Sequence, residues 1–219
     1  MMTKMRNRLL ISVLLIAMTS LMAGAQVKHF VVKVGNFERL ALVDNINVNY
    51  HCNPDSAGLA VFDCTQDVAD GLIFRLSSTG RLSIQVEDET EYHSQLPTIT
   101  LYSSSLHEAE NAGDSTLRLS GLPMMPEFKV RLLDNGKIIA SGKCDDLSLR
   151  LVGTGEIQAD QVTATNVSCR IMGTGSIGCH VDGGILKVNG SGTGKVYYKG
   201  TPSKVSVKKL GTIKAIPMK

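Results

Sequence analysis

The amino-acid sequence predicts an all-β fold, a right-handed parallel β-helix or β-solenoid, with repeats of about 19–20 residues closed by Gly-Thr-Gly turns. Three observations predict this class. Apolar and polar residues alternate within short segments, similar segments recur at a fixed spacing, and each ends in a glycine-rich corner. The most regular repeats cover residues 130–213, which carry no helix signals. An antiparallel meander built from the same repeats is the alternative architecture.

The first 25 residues have the pattern of a secretory signal peptide. Lys4, Arg6 and Arg8 precede an apolar run from Leu9 to Leu21, and Ala23-Gly24-Ala25 provides an A-x-A cleavage site. We therefore predict a signal peptide at 1–25 and a single β-helix domain at 26–219. An uncleaved membrane anchor is the alternative, but the apolar run is short for a membrane span, and no later stretch is apolar enough for one.

Charge and cysteine content limit the class of protein further. The chain has 23 basic and 20 acidic residues, and three of the basic residues lie in the signal, so the predicted mature chain is formally neutral. Nucleic-acid binding needs clustered Lys and Arg, so we exclude it. The five cysteines are an odd number for an exported chain, which excludes a complete disulfide framework. A bridge between Cys52 and Cys64, which flank a turn-rich segment, remains an open alternative.

The repeats define the fold in detail. Segments 147–157, 167–177 and 186–196 align without gaps at steps of 20 and 19 residues, a degenerate copy covers 130–138, and a shortened copy covers 205–213. One repeat cannot bury its apolar face alone, so the copies must stack strand on strand with aligned side chains. One predicted internal column contains Val130, Leu149, Cys169 and Val188. The right hand is expected because crossovers between parallel strands nearly always have it.

Residues 27–128 are less regular but still predict strands separated by turn-forming residues. The predicted strands are Phe30–Val34, Leu40–Val43, Ile46–Tyr50, Leu59–Phe62, Leu72–Leu76, Leu82–Val86, Thr98–Tyr102 and Thr116–Leu119. No linker marks a second domain.

Two segments resemble nucleotide-binding motifs in their glycine spacing but lack other features that such motifs require. Gly173-Thr-Gly175-Ser-Ile-Gly178 has the GxGxxG spacing, but the residues after it do not predict the helix that must receive the pyrophosphate. The segment Gly190–Lys195 resembles a P-loop, yet its first glycine is misplaced and Val196 stands where a Ser or Thr must bind magnesium. We predict no cofactor.

Metal and catalytic constellations are equally weak in the sequence. The histidines lack the paired spacing of a metal site, and adjacent Cys179 and His180 point to opposite faces of a strand. Solvated loops explain the carboxylate runs better than a glycosidase or lyase groove does. The histidines are His29, His51, His93, His107 and His180, and the carboxylates are Glu87, Asp88, Glu89, Glu91, Asp63, Asp67, Asp70, Asp145 and Asp146. We therefore assign no catalytic, cofactor-binding or metal-binding residue.

Aromatic platforms for sugars are sparse, because the chain has no Trp. Tyr197 and Tyr198 should send one ring inward and one to the surface. A glycan contact at the exposed ring is one hypothesis. The other is that the pair belongs to a terminal rung covering the end of the core.

Several of these segments resemble the putative auto-transporter adhesin, head GIN domain family of Bacteroides-type bacteria. The residues that carry the resemblance are Asn36-Phe37-Glu38-Arg39-Leu40, Ile46-Asn-Val48-Asn-Tyr50, Gly80-Arg-Leu82-Ser-Ile84 and Val196-Tyr-Tyr-Lys-Gly200-Thr-Pro202, with the repeated Gly-Ser/Thr-Gly corners. The resemblance implies a right-handed β-helix similar in shape to pectin lyases but without their catalytic residues, and a role in cell adhesion.

Residues and resemblance together predict an exported, non-catalytic interaction module, a cell-surface adhesin. The alternatives are a carbohydrate-active, polysaccharide lyase-like β-helix enzyme and a periplasmic structural protein. Expected partners are a host or cell-surface protein or glycan, or further copies of the chain in a homo-oligomer. The expected location is the cell surface, the outer membrane or the periplasm of a Gram-negative bacterium. The sequence identifies no ligand-binding residue.

Overall fold

The computed structural model describes residues 26–87 and 96–218. The predicted signal peptide at 1–25 and residues 88–91 and His93, which were weighed as site candidates, lie outside the described residues. In the described part, no helix is both long and apolar enough to cross a membrane.

Strands account for almost all regular structure in the described ranges. The strands are β1 (Lys28–Lys33), β2 (Arg39–Leu42), β3 (Val48–Cys52), β4 (Leu59–Cys64), β5 (Leu72–Leu76), β6 (Arg81–Val86), β7 (Ile99–Ser103), β8 (Glu108–Asn111), β9 (Thr116–Ser120), β10 (Met125–Leu133), β11 (Lys137–Gly153), β12 (Glu156–Gly173), β13 (Ser176–Asp182), β14 (Ile185–Gly192), β15 (Lys195–Thr201), β16 (Lys204–Gly211) and β17 (Lys214–Pro217). A five-residue helix, α1 (Gln66–Asp70), and a 3-10 turn (Pro54–Ser56) complete the elements.

The strands form a parallel β-solenoid with two long faces. The first face runs in the order β6, β2, β8, β10, β11, β12, β14, β16, and every neighbouring pair is parallel. The second face runs β7, β3, β9, β11, β12, β13, β15, β17 and is also parallel throughout. Strands β11 and β12 bend and therefore contribute to both faces. The parallel β-solenoid expected from the repeats is confirmed, and the antiparallel meander is wrong for this part of the chain.

The register between rungs follows the repeat spacing. Val130 lies beside Leu149, Leu149 beside Cys169, and Cys169 beside Val188, and all four side chains are buried. The predicted internal column is therefore present. Because side chains alternate along a strand, the residues on either side of each column member point outward.

The Gly-Thr-Gly corners stack directly on one another between the two faces. Gly153, Gly173, Gly192 and Gly211 all have positive φ, between +102° and +130°. A Cβ on Gly173 would lie 2.2 Å from the Gly153 carbonyl oxygen, and the same overlap recurs at each step of the stack. Glycine is needed here for its backbone conformation and also because the corner backbones are almost in contact.

The rungs are not stacked in chain order at the N-terminal end. Strands β2 and β3, which precede all other strands of the two faces in sequence, lie between β6 and β7 on one side and β8 and β9 on the other. The outer rung is covered by antiparallel partners, β5 on β6 and β4 on β7, with β1 on β4. This cap covers the edges of the outer rung, and the short antiparallel strands β1 and β5 become the edge strands at this end.

The less regular half matches its predicted strands closely, with three additions. All eight predicted segments overlap an observed strand. Strand β8, helix α1 and the 3-10 turn were not predicted. Helix α1 buries only Val68 and Ala69, and five residues give too little periodicity for a helix to be recognised.

The C-terminal rung closes the core with a residue that the repeat pattern does not explain. Lys214 lies beside Lys195, so Ile213 stands at the stacking position of Gly194. Its side chain is fully buried, whereas Val205 and Val207 on the same rung are 39% exposed. A further rung thus follows the tyrosine pair, and the prediction that Tyr197 and Tyr198 belong to a terminal rung was wrong.

Candidate binding surface

The outer surface of the first face presents four columns of side chains that run along the stack. Each column takes one residue from each successive rung, as fixed by the pairing of β10, β11, β12 and β14. We call them the polar edge (Glu127, Asp146, Asn166, Ile185), the serine column (Lys129, Ser148, Ser168, Lys187), the arginine row (Arg131, Arg150, Arg170, Asn189) and the apolar stripe (Leu133, Val152, Met172, Ser191).

The small side chains of the serine column leave a trough between larger neighbours. Two adjoining depressions, with volumes of about 230 and 380 Å³, share Ser148 and Ser168 as lining residues. One is bounded by the arginine row and the other by the polar edge. Lys129 and Lys187 stand at the two ends of the serine column. The result is one open, shallow trough parallel to the stacking axis.

Arg131, the first member of the arginine row, is neutralised by carboxylates of the neighbouring rung. Its guanidinium lies 3.3 Å from a carboxylate oxygen of Glu108 and 3.6 Å from one of Glu110. Arg81 approaches the same two carboxylates from the other side, at 2.8 Å from Glu110 and 3.9 Å from Glu108. Two arginines thus share two glutamates, and this cluster is balanced in charge.

Arg150 and Arg170 have no such partners. Both side chains are exposed, and no ion pair or side-chain hydrogen bond involves either of them within residues 26–87 and 96–218. They occupy directly paired positions on adjacent parallel strands, which lie about 4.8 Å apart. Like charges at directly opposite positions of neighbouring strands destabilise a sheet. The fold therefore holds two cationic groups together without an internal counter-charge.

The polar edge on the far side of the trough is already organised. The Asn166 side-chain amide donates to Asp146 Oδ1 at 3.1 Å, and Lys129 forms an ion pair of 2.8 Å with Glu127. Donor and acceptor groups therefore line one wall of the trough and free guanidinium groups line the other. Such a surface can bind anionic groups together with hydroxyl groups.

The residues weighed as catalytic or metal-binding candidates are dispersed over the molecule. The His29 ring lies 2.7 Å from Asp63 on the N-terminal cap, and the His51 ring accepts or donates a bond of 2.7 Å to Ser120. Among the described residues, no three His, Cys, Asp or Glu side chains come close enough to share a metal ion. Gly173-Thr-Gly175 is followed by β13 and not by a helix, so the dinucleotide motif lacks its structural context.

Four of the five cysteines are buried, and Cys52 is partly buried. Cys52 and Cys64 are both free thiols, so the bridge left open by the sequence is absent. Burial raises the pKa of the Cys64 and Cys144 thiols to about 11. Cys169 and Cys179 are fully buried, and the Cys169 pKa is raised by its hydrogen bond to Cys179 and by burial. A thiol with a raised pKa carries little thiolate and is a poor nucleophile.

The tyrosine pair divides between the interior and the surface. Tyr198 packs against the core, whereas Tyr197 lies beside Gly178 on the outer surface of the second face and is half-buried. The prediction of one inward and one outward ring is confirmed. Neither ring lies on the first face, so they are separate from the trough.

The arginine row was not recognised in the sequence as a site, although the signal was present. Arg131, Arg150 and Arg170 stand at the same position of three aligned repeats. Arg131 differs from Arg150 and Arg170 because it pairs with two glutamates on strand β8, and strand β8 was not predicted. The sequence therefore did not distinguish the paired arginine from the two unpaired ones.

Comparison with known proteins gives both a family and a fold. Residues 36–202 match the DUF2807 family model, described as putative auto-transporter adhesin, head GIN domain. No curated protein matches the chain.

Solved structures of similar fold come from Bacteroidales. A putative adhesin from Bacteroides fragilis is 16% identical with a TM-score of 0.71, covering 91% of this chain and 100% of its own. A putative adhesin from Parabacteroides merdae is 16% identical with a TM-score of 0.53, covering 89% and 97%. A putative lipid binding protein from Parabacteroides distasonis is 18% identical with a TM-score of 0.51, covering 88% and 97%. The family match spans most of the length, and the chain therefore belongs to the auto-transporter adhesin, head GIN domain family.

Proposed function

We propose that the protein is an exported, non-catalytic binding module that acts as an adhesin at the cell surface. The observation that carries this proposal is the trough on the first face, where Arg150 and Arg170 are exposed, adjacent and without an internal counter-charge. Family membership supports the same role, since the description of the family names an adhesin. The sequence pattern of residues 1–25 supports export.

The geometry favours binding over glycoside hydrolysis at this surface. Glycoside hydrolysis needs a pair of carboxyl groups arranged around the bond that breaks. Glu108 and Glu110, which adjoin the arginine row, are both engaged by Arg81 and Arg131. Asp146 accepts a hydrogen bond from Asn166. A pair of free carboxylates facing each other across the trough is not found among the described residues, which argues against glycoside hydrolysis at this surface.

Surface exposure is the requirement that an adhesin must meet. Antibody against the native protein should label intact cells of the source bacterium as strongly as permeabilised cells. A periplasmic protein used as a marker should be labelled only after permeabilisation. Labelling of our protein only after permeabilisation would refute the adhesin role and favour a periplasmic structural role.

Turnover separates an adhesin from the enzyme alternative. Incubation of the purified protein with acidic and neutral polysaccharides should release no new reducing ends and no unsaturated products. Release of product that disappears on Asp146→Asn substitution would establish a carbohydrate-active enzyme and refute the non-catalytic role.

A further inference from the structure

We propose that the trough binds a linear anionic polysaccharide whose chain runs parallel to the stacking axis, with carboxylate or sulfate groups on Arg150 and Arg170. This proposal rests on the proposed binding function and names the chemical class of its ligand.

The arginine row carries positive charge that the protein does not balance. Within one row, Arg131 is balanced by Glu108 and Glu110, whereas the two arginines next to it have no partner in the described residues. Two exposed guanidinium groups at paired positions repel each other, so folding alone does not favour this arrangement. A guanidinium group binds carboxylate or sulfate oxygens through two parallel hydrogen bonds. A bound anion on each arginine would remove the repulsion.

The direction and length of the trough fit a straight ligand made of repeating units. The arginine row, the serine column and the polar edge all run along the stack, and each repeats once per rung of about 4.8 Å. A ligand that satisfies them together must be straight and must repeat at a similar interval. Successive sugar units of an extended polysaccharide advance by a length close to one rung. Lys129 and Lys187 lie three rungs apart, about 14 Å, so the trough fits a segment of about four sugar units.

The floor and wall of the trough offer polar groups that match the hydroxyl groups of a sugar. Ser148 and Ser168 offer hydroxyl groups on the floor of the trough, and Asp146 and Asn166 offer an acceptor and a donor on its wall. Sugars carry many hydroxyl groups that need both kinds of partner. The half-exposed Met172 lies on the apolar stripe beside the arginine row and can cover the apolar face of a sugar ring.

Two other anionic partners fit less well. In an extended peptide, the side chains on one side of the chain are about 6.7 Å apart, and this spacing does not match the rung spacing of about 4.8 Å. An anionic membrane surface would meet Asp146 on the same face as the arginines, and this carboxylate, which has no cationic partner in the described residues, opposes it. A narrow ligand can lie on the arginines without contacting Glu127.

The test measures binding of defined polymers to the purified protein without its signal peptide. Polygalacturonate presents carboxylates, heparin presents sulfates, and dextran is a neutral control. Poly-glutamate and vesicles containing an anionic phospholipid represent the peptide and membrane alternatives. We expect at least one of the two anionic polysaccharides to bind, with affinity that rises with length up to about four sugar units and falls with added salt.

The variant that tests the site is Arg150→Gln with Arg170→Gln. The matched control is Arg75→Gln with Arg118→Gln, which removes the same charge from exposed arginines on β5 and on the second face. We expect the Arg150/Arg170 variant to bind at least about tenfold more weakly, because charge-assisted hydrogen bonds are lost, while the control binds as the wild type does. The Arg150/Arg170 variant should melt at the same temperature as the wild type or higher, because a repulsive pair has been removed.

The outcomes separate the ligand class from the general function. Equal binding of dextran, unchanged binding by the Arg150/Arg170 variant, or binding only to vesicles or poly-glutamate would overturn the proposal, as would binding to none of the probes. A protein that is labelled on intact cells but binds no anionic polysaccharide refutes the ligand class alone. A protein that binds through the trough but is never labelled on intact cells refutes the adhesin role alone.

Discussion

Substitution of the stacked corner glycines should reveal how much of the stability depends on contact between rungs. Gly173 and Gly183 both have positive φ, at +130° and +83°. A Cβ on Gly173 would lie 2.2 Å from the Gly153 carbonyl oxygen, whereas a Cβ on Gly183 would have no heavy atom within 4 Å. Alanine at either position carries backbone strain, but only Gly173→Ala forces two rungs apart.

The expected magnitudes follow from these two contributions. Gly183→Ala should lower the free energy of unfolding by about 1–2 kcal/mol, which is the cost of a positive φ for a residue with a Cβ. Gly173→Ala carries a similar backbone cost and adds an overlap with backbone that cannot rotate away, for which over-packing gives about 1–3 kcal/mol more. We therefore expect Gly173→Ala to be the more damaging variant by about 1–3 kcal/mol.

Gly178 provides a control without either penalty. It has no positive φ, and a methyl group added there would lie 3.7 Å or more from its nearest neighbours. Gly178→Ala should therefore change the stability by less than about 1 kcal/mol in either direction. Urea denaturation followed by far-ultraviolet circular dichroism measures all three variants. Equal losses for Gly173→Ala and Gly183→Ala would show that the corner glycines serve backbone conformation alone, and would refute the argument from contact between rungs.

Three further predictions concern titration and the end of the core. Because the folded pKa of Cys64 and of Cys144 is raised from 9.0 to about 11, the contribution of these two thiols to stability should be constant below pH 9 and lost between pH 9 and 11, where the unfolded chain loses these protons first. Urea midpoints at pH 8 and 10.5 should differ less in a variant with alanine at both positions, and an equal difference would contradict the assignment. The hydrogen bond from Lys199 lowers the pKa of Asp160, so this pair stabilises the fold above the usual carboxyl pKa of 3.8 and the contribution is lost as the pH falls through the lowered pKa. Lys199→Met should cost less than about 1 kcal/mol at pH 7 because the pair is half-exposed, and the cost should shrink as the pH is lowered; a cost that does not change with pH would contradict the pairing. Ile213→Asp should speed hydrogen exchange in the last two strands, because it places a carboxylate at a fully buried position; exchange that remains slow in β16 and β17 would show that Ile213 does not close the core.

The sequence predicted the regular half of the fold well because its register is encoded locally. Leu149, Cys169 and Val188 stand at equal positions of aligned repeats, and stacking of equal positions is the only arrangement that buries each of them. The order of the N-terminal rungs has no such signal, since it depends on pairing between strands that do not resemble one another. Strand β8 (Glu108–Asn111) has only four residues, and its alternation is too short to be distinguished from a loop.

The candidate site was predictable only in part, for the same reason. The repeats place Arg131, Arg150 and Arg170 in one row. The contrast between a neutralised arginine and two free ones requires Glu108 and Glu110, which reach the row through the pairing of β8 with β10. That pairing joins the irregular and regular halves of the chain, and the sequence of neither half alone predicts it.

The displaced rung order has a consequence for how the protein can be assembled during synthesis. Strands β2 and β3 emerge before all other strands of the two faces, yet they gain both neighbours only when β6, β7, β8 and β9 have also emerged, at Ser120. Growth of the stack from its first residues, one rung at a time, is therefore impossible at this end. The C-terminal rungs, in contrast, can each be added to the one before as the chain lengthens. A chain halted before Ser120 should stay open to proteases and chaperones, while one halted after β12 should already hold a closed N-terminal half.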